Sequence, residues 1–113
     1  MLGDGALGAR TAFLSRPYAD DPSTCGIPVF TQETMDEMIG YANAHGMQAA
    51  VHTIGDACLD RVLSAYEKAL AENPREDHRH GIVHCQITRA DQLEKNRENA
   101  SSRLRTEHLP RLR

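Results

Sequence analysis

His52 and His84 are the residues whose type and placement first suggest chemistry. Each stands near the end of a short apolar run, Met47-Gln48-Ala49-Ala50-Val51-His52 and Ile82-Val83-His84-Cys85. Neutral imidazole is among the commonest metal ligands, and zinc takes three or four such donors in close geometry. If the two runs are parallel strands joined by a helix, their C-terminal ends open on one edge of the sheet. Both rings can then converge on one point, at the edge where open α/β sheets and α/β barrels place their chemistry. The alternative is a satisfied polar residue at each strand end, since no local spacing ties the pair together. His45 falls in the last turn of a helix, where a cation suits the dipole. His78 and His80 sit in the polar run Arg75-Glu-Asp-His-Arg-His80, which reads as a solvated connection, although His80 directly precedes the second strand. Cys85 reads as a small apolar strand residue rather than a nucleophile, and Cys58 as helix core.

The elements that must position the histidines can be read from caps and periodicity. Gly3, Gly5, Gly8, Pro17, Pro22, Gly26 and Pro28 make residues 1–30 a loop-rich segment. Thr31 has the character of an N-cap, with Glu33, Asp36 and Glu37 in the first turns where anions suit the dipole. Met35, Met38, Ile39 and Ala42 then repeat with helical spacing, and Gly46 stands where a helix ends. This predicts a helix near 32–45 and a strand near 47–52. Asp56 is a plausible N-cap for the next helix, near 56–73. Leu59, Val62, Leu63, Tyr66 and Leu70 form its apolar stripe, and Asn73-Pro74 stops it. A second strand near 81–86 follows. Thr88 and Asp91 have capping-box spacing and predict a last helix near 89–96. Helix, strand, helix, strand, helix implies an α/β fold with parallel strands and right-handed crossovers.

Composition narrows the class. The 113 residues fit one domain at most, with 40% hydrophobic and 26% charged residues, as in ordinary globular chains. No apolar run approaches the roughly 18 residues of a membrane span, and no signal-peptide pattern opens the chain. Three scattered cysteines form neither a CxxC pair nor a disulfide framework, so the expected setting is a reducing cytoplasm. The net charge of −3 argues against nucleic acid as the main partner. That charge is unevenly spread. Residues 1–93 carry 7 Lys+Arg and 13 Asp+Glu, whereas residues 94–113 carry 6 and 3. Apolar periodicity also stops there, so 94–113 reads as an atypical basic tail and 31–93 as the α/β core.

Four motifs occur in series: Asp4-Gly-Ala-Leu-Gly-Ala-Arg-Thr-Ala12, Pro17-Tyr-Ala-Asp-Asp-Pro22, Val51-His-Thr-Ile-Gly-Asp56 and Arg79-His-Gly-Ile-Val-His-Cys-Gln86. Together they resemble the YtcJ-like branch of the metal-dependent amidohydrolases over about residues 2–93. The resemblance implies a (β/α)8 barrel that hydrolyses amide-type C–N bonds, and some members are labelled exoenzyme regulators. It implies zinc or another divalent metal and a small-molecule substrate. By the resemblance, His52 and His84 match metal-binding histidines at the ends of barrel strands five and six. Asp4, Gly5, Arg10 and Thr11 match the loop after strand four, beside the active site. Asp56, Arg79 and His80 fall near that site, while Gly81 and Val83 depart from the family's usual Arg and Glu. The family's first-strand His-x-His pair, its modified lysine and its last-strand Asp find no match here. A full barrel takes roughly 250 residues. The expectation is a central slice of such an enzyme, inactive on its own and dependent on a second copy to cover its sheet. The alternative is a non-catalytic remnant or interaction module with an α/β core.

The tail has its own two readings. One is a genuine basic tail, disordered or touching nucleic acid or anionic lipid, against which the interspersed Glu94, Glu98 and Glu107 and the absence of aromatics argue. The other is a shifted reading frame: codons exist for Ser102–Arg113 that, read one nucleotide later, encode Pro-Ala-Tyr-Val-Gln-Ser-Ile-Phe-Leu-Asp-Tyr. That string resembles the family's next strand and loop. The nucleotide sequence of the gene distinguishes the two.

Overall fold

Thr31 starts the first helix as its residue type requires. Its side chain accepts from the Thr34 N–H, and α1 runs Gln32–Ala44, ending at His45 with Gly46 at φ +73°. The computed structural model describes residues 1–75, 78–98 and 105–107. Its further elements are β1 (Ala50–Thr53), α2 (Asp56–Glu72), β2 (Gly81–His84), α3 (Ala90–Glu98) and β3 (Arg105–Glu107). β1 pairs parallel with β2, with His52 opposite Val83 and Thr53 opposite His84, and β2 pairs parallel with β3. The chain thus has the expected α/β, βαβ-type architecture with parallel strands. β1 is shorter than its apolar run: Met47 and Gln48 lie outside it as exposed connection.

Two strand-like features were not legible beforehand. Met1–Gly3 lies along the free side of β1, where His52 N–H donates to Met1 O at 2.8 Å and Gly3 N–H to His52 O at 2.9 Å. Leu2 and His52 form a parallel bridge. β3 falls inside the basic tail, whose residues 99–104 and 108–113, His108 included, lie outside the described residues.

One face of this sheet is covered. Met35 and Ile39 from α1 pack with Cys58, Leu59, Val62, Leu63, Tyr66 and Ala69 from α2, against Val51 and Ile82. Burial of such aliphatic side chains contributes roughly 1.5–3 kcal/mol each. On the other face Leu2 and Ala50 are exposed, and His52 and Val83 are half-buried.

α2 begins differently from the expectation. Gly55, not Asp56, is its N-cap, and no side chain caps it. The Phe13 carbonyl does so instead, accepting from Ala57 N–H at 3.1 Å and Cys58 N–H at 3.2 Å. Asp56 is unavailable because its carboxylate is turned toward Ser15 and Arg89. A Cβ on Gly55 would sit 1.9 Å from that capping carbonyl oxygen. Gly55→Ala should therefore lower stability by about 1–3 kcal/mol, read as a lower urea midpoint, because either the cap or the new methyl has to move. At α3 the capping box also shifts by one residue: the Gln92 side chain, not Asp91, accepts from the N–H of Arg89 at 2.9 Å.

Candidate functional site

Parallel strands side by side carry His52 and His84 to the same rim. Their ring centroids are 4.8 Å apart, edge to face. His52 is held by the loop at the chain's start, its Nε2 lying 2.8 Å from the Gly5 carbonyl oxygen. A carbonyl only accepts, so Nε2 carries the proton and Nδ1 keeps the lone pair. A ring fixed through one nitrogen by a carbonyl, with the other left as donor to a metal, is the usual arrangement around metal-bound histidine.

Asp4 anchors this loop. Its buried carboxylate accepts from Phe13 N–H at 2.9 Å, Ile54 N–H at 3.0 Å and Gly55 N–H at 2.8 Å. It also lies 3.8 Å from His52 Nε2. Thr11 closes the same loop, since its Oγ1 accepts from Ala6 N–H at 3.0 Å. Arg10 points elsewhere. It takes φ +57° and pairs with the exposed Asp20 at 3.0 Å.

Asp56 sits just beyond β1 as the centre of a brace. Ser15 donates to it through N–H at 2.9 Å and through its hydroxyl at 2.5 Å, and Arg89 reaches it at 3.1 Å. Burial pushes the carboxyl's pKa up, but the Ser15 and Arg89 bonds outweigh burial and hold it below the ordinary range. Arg89 also binds Asp60 and Asp91. A cavity of about 410 Å³ opens beside this brace, and its lining includes neither histidine.

Arg79 and His80 do not join the histidine pair. Both precede β2 and so stand at the opposite end of the strand from His84. The expectation of a solvated loop fails for His78 and His80, which are buried. His80 Nδ1 accepts from Ala49 N–H and its Nε2–H donates to Asn43 Oδ1, both at 2.9 Å. With both ring nitrogens used and its ring stacked on Tyr66 and His78, it is a structural residue. Nothing in the charged run 75–80 signals this, because the partners come from α1 and from the segment before β1.

The donor chemistry fits part of a metal site. His52 and His84 supply two imidazoles, and among the described residues no group of three or more His, Cys, Asp or Glu could hold a metal ion.

Comparison with known proteins bears on the family of the chain. The sequence model of the amidohydrolase family matches residues 1–100. A Bacillus subtilis (strain 168) protein named "Putative amidohydrolase YtcJ" is 43% identical over 95 residues, which are 84% of this chain and 17% of that protein. Protein LONG AFTER FAR-RED 3 of Arabidopsis thaliana is 36% identical over 83 residues, 74% of this chain and 14% of that protein. Two solved structures, described as uncharacterized metal-dependent hydrolases from Pyrococcus horikoshii OT3 and Pyrococcus furiosus, superpose with TM-scores of 0.79 and 0.78. They are 37% and 39% identical, and each match covers 93% of this chain and 20% of theirs. Spanning a fifth or less of those relatives, and carrying two strand-end histidines on parallel strands, the chain belongs to the amidohydrolase family.

Proposed function

We propose that this chain is a section of a metal-dependent hydrolase acting on amide-type C–N bonds of a small molecule, with His52 and His84 as two of the metal's ligands. The 4.8 Å approach of the two rings at the strand ends carries this reading. Zinc is one of the divalent metals that imidazoles suit, and it would supply Lewis acidity to a scissile carbonyl. His52 would offer Nδ1, because the Gly5 carbonyl occupies Nε2. Asp4 and Thr11 hold the loop that carries this carbonyl. Asp56 and Arg89 brace the turn after β1. Arg10 is tied to Asp20 across an exposed loop and is given no part in holding the metal.

Two imidazoles alone leave most of the coordination to solvent. The isolated chain is therefore an inactive piece whose remaining ligands come from further polypeptide. The uncovered sheet face favours association with a second copy. The free thiols of Cys25, Cys58 and Cys85 suit a reducing compartment such as the cytoplasm. The second reading, a non-catalytic interaction module, is favoured by the lack of a third donor among the described residues.

Titration with zinc, followed by calorimetry and by the imidazole resonances of His52 and His84, tests the first reading. Weak binding, no tighter than micromolar, should perturb both rings together and vanish in His52→Ala. If zinc leaves both rings unmoved at millimolar concentration, the interaction module is the better description.

A further inference from the structure

β2 breaks its own alternation at its last residue. In a parallel pair, residues opposite one another share a face and successive residues alternate. Val51 and Ile82 belong to the core under α2, and Thr53 is fully buried with its hydroxyl donating to Val51 O at 3.1 Å. His52 and its partner Val83 therefore take the open face. By the same count His84, opposite Thr53, belongs under α2. It is instead exposed, with its ring against that of His52. Cys85 packs against the core in its place.

The exchange has a backbone cause. His84 has φ +76° and Cys85 φ +51°, two consecutive left-handed values without a glycine. Such conformations are costly for L residues and persist only where their surroundings impose them. Here Cys85 N–H donates to Thr53 O at 2.9 Å and to Val83 O at 3.1 Å, which closes the turn onto β1.

We propose that the left-handed pair His84–Cys85 is a positioning device, which turns the His84 imidazole out of the helix-covered face and presents it to His52, with Cys85 locking the turn. Its purpose rests on reading the two histidines as metal ligands, but its geometry does not. Glycine takes positive φ without steric cost, whereas β-branched valine resists it. Cys85→Gly should thus keep the two rings in contact, and Cys85→Val should separate them.

Solution NMR of the full chain tests this. The wild type should show His52–His84 ring NOEs and left-handed backbone couplings at residues 84 and 85. Cys85→Gly should retain the NOEs and Cys85→Val should lose them, with zinc perturbing the rings about tenfold less strongly in the valine variant. Extended couplings at both residues in the wild type, or NOEs that survive in Cys85→Val, would overturn the proposal. Should the valine variant fail to fold, the wild-type couplings and the glycine variant decide. If the NOEs follow the expected pattern while zinc moves neither ring in any variant, the metal reading fails and the positioning role stands.

Discussion

Asp4→Ala is expected to be the most damaging single substitution in the chain, costing on the order of 4 kcal/mol or more. The Asp4 carboxylate is almost wholly buried and accepts three backbone N–H groups, from Phe13, Ile54 and Gly55. Each donor left without a partner away from water costs about 1–3 kcal/mol. Ile54 and Gly55 form the turn from β1 into α2, and Phe13 carries the carbonyl that caps α2. One carboxylate therefore holds three segments at a single junction. A small chain has only about 5–15 kcal/mol in total, so the variant should be largely unfolded in moderate urea. Asp4→Asn should be nearly as harmful, because its amide NH2 would face donors where an oxygen is required. Asp20→Ala is the control: its pair with Arg10 is exposed, and the urea midpoint should hardly move. An Asp4→Ala chain with the wild-type midpoint would show that the three N–H groups reach water.

Acidification is expected to destabilise the fold by about 3 kcal/mol between pH 7 and pH 4, with His80 as the main source. Burial, with smaller contributions from His78 and Arg75, lowers the pKa of His80 from 6.5 to about 4. The geometry works in the same direction as burial: the bond from Ala49 N–H to Nδ1 needs a lone pair where protonation would place a hydrogen. The sign follows from which state holds the proton. Below pH 6.5 the unfolded chain binds a proton on this ring and the folded chain does not. The contribution is complete above pH 6.5 and drains away as pH falls toward 4. Asp56, held low, loses its own contribution only below the ordinary carboxylate range. Denaturant unfolding at several pH values should show a midpoint that falls steadily over this window. In His80→Gln the chain should be weaker at pH 7 but its slope between pH 6.5 and 4 much flatter. An unchanged slope would assign the acid sensitivity to other groups.

The parts of the fold that were legible are those written within one element. The Thr31 cap, the stripe from Leu59 to Leu70 and the two apolar runs each depend on neighbours a few residues away. The strand-end position of His52 and His84 followed from those runs, and the family from motifs in series. What stayed hidden depends on distant partners. The burial of His80 is decided by Asn43 and Ala49, which lie 37 and 31 residues away. The role of Asp4 depends on amides 50 and 51 residues away. Cys58 looked like helix core and is, its thiol pKa pushed up to about 12 by burial. The turn at His84–Cys85 carries no glycine, so residue type gave no warning of positive φ.

The uniform direction of the paired strands has a bearing on assembly. Met1–Gly3, β1, β2 and β3 all point the same way, so the first and last of the described strands offer unlike borders. Matching like borders of two copies about a two-fold axis would force their backbones to run opposite to one another. Keeping the direction requires the first border of one copy to meet the last border of the next. Such a contact is not self-complementary, and it ends only where the rotation per copy closes a circle; otherwise it continues as a filament. If copies did meet edge to edge in this way, the curvature of the sheet would decide between a closed ring and a filament.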